Sequence, residues 1–197
     1  MSDKPLLYVS IDCETSGPCP PDYAMLSIGG AAFEFGNEKP ISTSYIKLRM
    51  IDGQKWHPDT WVFWHSEEQK EAFAELMQGQ HDPDFATLVF YAWMKRLEKD
   101  HTLVFSGYPT TYDFQFFNYY LHRFCGANPL GWRGFDLRSY AAGVLGCGFL
   151  DAKKESELLA PFRPKNEQPH NALEDAIEQG IMIVRLMKKR EEDGRNK

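Results

Sequence analysis

The 197-residue sequence has no Cys-x-x-Cys pair. Its four cysteines, Cys13, Cys19, Cys125 and Cys147, follow no regular spacing, which argues against a zinc knuckle or a disulfide scaffold. No apolar run approaches the ~18 residues of a membrane span. The opening MSDKPLLYVS lacks a basic region followed by a long apolar stretch, so no secretory signal is expected and the cytoplasm is the default location. There is no internal repeat, no low-complexity segment and no basic tail. A net charge of −6 argues against a long cationic track for duplex nucleic acid. That objection weakens once four carboxylates are assigned to a metal site, because the remainder is then closer to neutral. What is present is ordinary for a globular domain: 43% hydrophobic and 25% charged residues. The length suits one domain, read as 1–188 with a charged, solvated and disordered tail over 189–197.

The segment VSIDCETSG is the most informative part of the chain. From Leu7 to Glu14 the residues alternate, with Leu7, Val9, Ile11 and Cys13 apolar and the intervening positions ending in Asp12 and Glu14. In a strand, residues two apart share a face. One side of this strand is therefore buried, with Cys13 as a small core residue, and the other aims two carboxylates at nearly the same place. Like charges that close repel, and each gains from a proton or a cation. Carboxylate oxygens suit hard ions, which makes Mg2+ or Mn2+ the natural partner.

Further along, TSGPCPPDY is a turn-rich loop. Met25 to Phe35 reads as a second strand whose Gly29, Gly30, Ala31 and Ala32 let another backbone or a ligand come close. Gly36 to Pro40 is a hairpin connection and 41–49 a third strand, giving an antiparallel meander. Ser66 and Gln69 form a capping box ahead of Ala72, Phe73, Leu76 and Met77. Asp82 and Pro83 open a helix expected to bury Phe85, Leu88, Val89, Ala92 and Trp93. Thr102 to Tyr108 is a short strand, and 113–124 a helix with Phe117, Leu121 and Phe124 on one face. Gly134 to Leu137 is a last strand. A final helix begins at Ala172, capped by Asn171 with Glu174, and carries Ile177, Ile181, Val184 and Met187. The pattern is mixed α/β: a sheet flanked by helices.

Three more residues join the acidic pair. Asp113 follows the strand ending at Tyr108 and heads a helix, which prefers it to Asp100 or Asp136. His170 stands in a loop before the final helix, and Asp175 lies within that helix's first turns. A ligand on a rigid helix and an imidazole on a loop suit a metal centre with a proton acceptor beside it. APFRPKNEQP, the stretch before His170, has three prolines and no helical pattern, and reads as a mobile segment.

Asp12-x-Glu14, Asp113 at a strand-to-helix junction, and His170-x-x-x-x-Asp175 resemble, in type and order, the three motifs of the DEDDh 3′–5′ exonucleases. That superfamily includes ribonuclease T, oligoribonuclease and proofreading domains. The strings ETSG and HNALEDA are similar to it as well, and the likeness runs from residue 6 to about 188. Many relatives carry an asparagine where this chain has Pro109, four residues before Asp113. The resemblance implies a ribonuclease-H-like mixed sheet flanked by helices, and two divalent ions with Asp12 bridging both. Glu14 and Asp175 would complete the ion that activates water, and Asp113 would serve the second. His170, with an ordinary pKa of about 6.5, would take a proton from the attacking water. The implied reaction is hydrolysis at the 3′ end of single-stranded or short nucleic acid, RNA or oligonucleotide ahead of DNA, releasing nucleoside 5′-monophosphates. A homodimer is common among relatives.

Thr15 and Phe114, beside motif acids, are candidates for substrate contact, with a core role the competing reading for Phe114. Trp56, Trp61, Phe63 and Trp64 are expected to pin a loop and short helix onto the sheet, with one ring exposed to stack on a base. His57 and His65 have poor spacing for a metal and read as surface or packing residues. Singly, each motif residue has a bland explanation; their order and the His170 to Asp175 spacing do not. Two other classes of function stay open here: a catalytically silent binding module of the same fold, and a hydrolase of nucleotides or another small phosphodiester.

Overall fold

The computed structural model describes residues 4–148 and 152–195. Five strands form one sheet: β1 (Leu6–Thr15), β2 (Met25–Phe33), β3 (Ser42–Lys47), β4 (Thr102–Gly107) and β5 (Gly134–Asp136). Their order is β3-β2-β1-β4-β5. The β1–β2 and β2–β3 pairs are antiparallel, and the β1–β4 and β4–β5 pairs parallel. The helices are α1 (Pro58–Trp64), α2 (Lys70–Leu76), α3 (Pro83–Leu97), α4 (Thr110–Cys125), α5 (Leu137–Leu145), α6 (Ala152–Leu159) and α7 (Ala172–Arg195). A meander followed by parallel strands with helices on both faces is the ribonuclease-H-like arrangement. None of the described helices is long and apolar enough to cross a membrane.

The acidic strand lies at the centre of the sheet. Its odd residues, Leu7, Val9, Ile11 and Cys13, pack with Phe90 and Trp93 of α3 and with Phe116, Phe117, Tyr120 and Leu121 of α4. Its opposite face is covered too. There α7 lies across β1 and β2, with Ala176 and Val184 against Ala31 and Phe33. Below Asp12, that face is therefore interior, and Ser10 is fully buried.

The glycines of β2 set how close the layers come. A Cβ at Gly30 would fall 2.7 Å from the Phe90 ring and 2.8 Å from Trp93. One at Gly29 would fall 2.1 Å from the backbone oxygen of Ala172. Gly29 thus admits the first turn of α7, and it stands directly opposite Asp12 in the β1–β2 register. The close approach expected of this segment is made by a helix backbone.

Several expectations need correction. In α3 the buried residues are Ala86, Thr87, Phe90, Trp93 and Met94. Phe85, Leu88 and Val89 are exposed, as is Ala92. Two apolar stripes share this helix, and the one with the larger rings fills the hollow over Gly30. The Ser66–Gln69 capping box does not form: α2 starts at Lys70 without a side-chain cap. The chain leaves α1 through consecutive turns, Ser66 N to Phe63 O and Gln69 N to Ser66 O, so those groups are already satisfied. Met77 is exposed rather than packed. Strand β2 ends at Phe33, two residues early. α4 starts at Thr110, putting Asp113 inside its first turn. The last strand ends at Asp136, so that Leu137 opens α5, and no element was expected between 138 and 171, where the rest of α5 and all of α6 lie. Finally, α7 runs to Arg195, so most of the segment read as disordered is an exposed helix end; 196–197 lie outside the described residues.

Replacing Gly29 by alanine should push the first turn of α7 off the sheet. We expect a loss of about 1–3 kcal/mol in urea unfolding.

Candidate active site

The end of β1 and the start of α7 meet at Gly29, and that contact assembles the site. Asp12 Oδ1 accepts a 2.7 Å hydrogen bond from Nε2 of Gln179, one turn beyond Asp175 on the same helix. Asp175 Oδ2 accepts from the backbone N–H of His170 at 2.9 Å, and its Oδ1 from Asn166 Nδ2 at 2.6 Å. Asn171 caps the helix as expected, its Oδ1 accepting from the N–H groups of Leu173 and Glu174 at 3.1 and 3.3 Å. Glu174 does not complete a reciprocal box, since the Asn171 N–H is directed to Gln168 O. His170 sits outside the helix with φ of +65°. A non-glycine residue in that region marks a constrained turn, held here by the bond to Asp175.

Asp113 arrives from the other side of the sheet. The pairing of β1 with β4 reaches only Ser10, so the N–H of Cys13 needs a partner of another kind. Asp113 Oδ1 accepts it at 3.0 Å, and the carboxylate is only 3% exposed. The helix that carries Asp113 begins after Pro109, which has no capping side chain. Asp136 of β5 takes that role, accepting from Thr110 N at 3.1 Å. Asp136 is thereby a cap for two helices, since it also accepts from Ser139 N at the start of α5.

The electrostatics of the cluster call for a cation. Burial, followed by Asp113, Glu14 and Asp175, raises the proton affinity of Asp12 well above the carboxylate range. Burial, followed by Asp175 and Asp113, does the same to Glu14. Burial pushes Asp113 up to about 7, against the pull of its backbone hydrogen bonds, and raises Asp175. The main groups acting on these four are one another, Glu178, their hydrogen-bond donors and His170; no lysine or arginine is among them. Ligand atoms of Glu14, His170 and Asp175 lie within 4.8 Å of one another. An oxygen-rich donor set with unbalanced negative charge fits Mg2+ or Mn2+.

His170 is backed by aromatic rings. Its ring meets Phe63 edge-on at 5.1 Å and Trp64 at 6.1 Å. Trp64 is buried and donates from Nε1 to Thr15 O at 3.3 Å, fixing the indole between β1 and the histidine. Two rings of this cluster, Trp61 and Phe63, are exposed, not the single one expected. His65 stacks on Trp61 and His57 caps α1. A cleft of about 320 Å³ opens beside the acids, lined by Glu14, Thr15, Thr60, Phe63, Trp64 and Tyr112, among others. Thr15 stands in its wall, with Oγ1 2.7 Å from the Tyr112 hydroxyl. Phe114 does not line it; its ring meets Phe105 edge-on at 5.1 Å at the core. Tyr112, two residues earlier on α4, lines the cleft instead.

The structure thus brings together all five motif residues from three separated stretches. Sequence reasoning missed Gln179, Asn166, Tyr112 and the backing of His170. Gln179 had a signal, since it follows Asp175 by one helical turn on the same face. Asn166 had none.

Residues 7–187 match the family model described as the 3′-5′ exoribonuclease Rv2179c-like domain. The chain belongs to this family. It is also 33% identical over 177 residues to the 3′-5′ DNA exonuclease Cap18 of Escherichia coli, covering 86% of each sequence. Among solved structures, the nuclease domain of 3'hExo, a DEDDh family member bound to rAMP, superposes with a TM-score of 0.66 at 10% identity, with 92% of both chains covered. Exonuclease I of E. coli in complex with a dT13 oligonucleotide superposes with a TM-score of 0.66 at 13% identity. That match covers 96% of this chain, which spans only 43% of the larger enzyme. The protein is a DEDDh-type exonuclease with an acidic and histidine cluster suited to metal.

The raised acids make a prediction about pH. Without metal the native state holds more protons than the unfolded chain, so its stability falls as pH rises from about 4 through about 7. Thermal unfolding in chelator should give a lower Tm at pH 8 than at pH 5.5. Added Mg2+ should raise Tm far more at pH 8, where it competes with fewer protons for the carboxylates. An equal rise at both pH values would contradict the assignment of the cluster.

Proposed function

We propose that this enzyme removes nucleotides singly from the 3′ end of single-stranded nucleic acid, releasing nucleoside 5′-monophosphates, with RNA and short oligonucleotides ahead of DNA. The observation that carries the reading is the convergence of Asp12, Glu14, Asp113, Asp175 and His170 at one end of an aromatic-walled cleft. A silent binding module would have no need of that assembly. The cleft walls, Phe63 and Tyr112, offer rings to a terminal base, and Thr15, whose hydroxyl bonds Tyr112 and Gly17 O, fixes the Tyr112 ring beside the acids. The family description names RNA and the E. coli relative names DNA. The charge balance disfavours a long cationic track for duplex and so supports a single-stranded or short substrate, and the family description supports RNA.

The four carboxylates would hold two divalent ions, which when bound lower the pKa of water and offset charge on the leaving oxygen. Asp12, on whose charge Glu14, Asp113 and Asp175 all act, would help to hold both. Gln179 directs one Asp12 oxygen to its own amide and so turns the other toward its neighbours. His170, held by its main chain and by two ring edges, takes the proton from the attacking water. General bases of this kind contribute roughly 10²–10⁴-fold.

The test is digestion of matched 5′-labelled RNA and DNA single strands with Mn2+ or Mg2+. We expect a ladder shortening from the 3′ end and release of nucleoside monophosphates, faster for RNA. Asp12→Asn should abolish it, and persistent cleavage would expose a contaminating nuclease. His170→Ala should lower kcat at least about 100-fold while leaving the Mg2+-induced rise in Tm largely intact. Wild-type turnover in that variant would remove the imidazole from the mechanism.

A further inference from the structure

The outer face of α4 carries chemistry that the cleft does not use. From Phe114 to Phe135 there is no acidic residue, in a chain with 28 of them. The same stretch holds Arg123 and Arg133, both exposed and neither ion-paired among the described residues. Large rings accompany the two cations. Trp132 is 81% exposed, with the Arg133 guanidinium 5.1 Å from its ring centre. Arg123 donates to the Tyr119 hydroxyl at 2.6 Å and lies over the rings of Tyr119 and Phe124. Phe114, Gln115, Asn118, Tyr119, His122 and Arg123 line an open groove of about 610 Å³. The loop bearing Trp132 is fastened to this groove by Asn128, which donates to Asn118 at 3.1 Å.

The groove begins one helical turn along α4 from the cleft. Tyr112 lines the cleft and bonds Gly17 O. One turn on, Gln115 lines the groove and bonds Pro18 O at 2.9 Å. From Tyr112 to Arg123 the helix rises about 16 Å. Aromatic faces interleaved with cations, on an otherwise acidic protein, match the needs of an unpaired polyanion with exposed bases.

Resting on the exonuclease reading above, we propose that this face is a track for the 5′-ward part of a single-stranded nucleic acid whose 3′ end occupies the cleft. Trp132 and Tyr119 stack on bases, and Arg123 and Arg133 meet phosphates. Occupancy of the track favours strands long enough to leave the cleft and excludes duplex, whose bases are already stacked.

The experiment is fluorescence anisotropy with a 5′-labelled single strand of about twenty nucleotides, in chelator, where nothing is cleaved. Trp132→Ala and the double variant Arg123→Ala/Arg133→Ala should each bind about ten-fold more weakly. The double variant should also lose about 1.4 from the slope of log affinity against log salt. Turnover of a dinucleotide, which reaches only the cleft, should change less than about two-fold. Unchanged affinity for the long strand overturns the proposal, as does an equal loss with the dinucleotide. An equal loss with a blunt duplex overturns the stacking role and assigns the surface to charge alone. Failure of the exonuclease reading shows separately, as absence of cleavage by the unsubstituted chain, while the anisotropy still judges the track.

Discussion

Mutual repulsion among buried carboxylates is the constraint around which this protein is built. Asp12, Glu14, Asp113 and Asp175 are drawn together with no lysine or arginine prominent among the groups acting on them. Left to themselves they would separate or take up protons. Burial on both faces of the central strand prevents separation: α4 fixes Asp113 through the N–H of Cys13, and α7 fixes Asp175 by pressing on Gly29. The packing free energy of the domain is what keeps an electrostatically unfavourable cluster in place, ready for cations.

Around this cluster the elements divide their roles. Strand and helix supply the carboxylates, whose mutual placement must vary little. A loop supplies the imidazole, and two aromatic residues of α1 limit its rotation. The tryptophan-rich segment is therefore neither plain core nor plain stacking surface. Trp64 joins the strand to the histidine, and the exposed Phe63 faces the cleft.

Much of this was legible from residues alone. Alternation over Leu7 to Glu14 disclosed the strand and its two carboxylates, because a period of two has no other explanation over that length. Asn171 disclosed the start of α7, since its side chain has the acceptor that the first turn needs. Where pattern failed, tertiary contacts had decided. In α3 two apolar stripes were equally periodic, and only the hollow over Gly30 selects Phe90 and Trp93. Asp113 was found by position, but its tie to Cys13 depends on β4 diverging from β1, which no local signal reports. Asn166 reaches Asp175 across a turn of irregular chain, and nothing in its neighbours announces this. The last helix outlasts its apolar pattern because a mixed-charge segment continues a helix already anchored.

The bond from the main chain of His170 to Asp175 has a broader meaning. One oxygen of a metal-ligand candidate is also the peg on which the proton acceptor's loop is hung. Ligand and base share a single mounting: any displacement of Asp175 would carry the loop of the imidazole with it. Acid and base are thus a single part of the structure, and neither can be repositioned without the other.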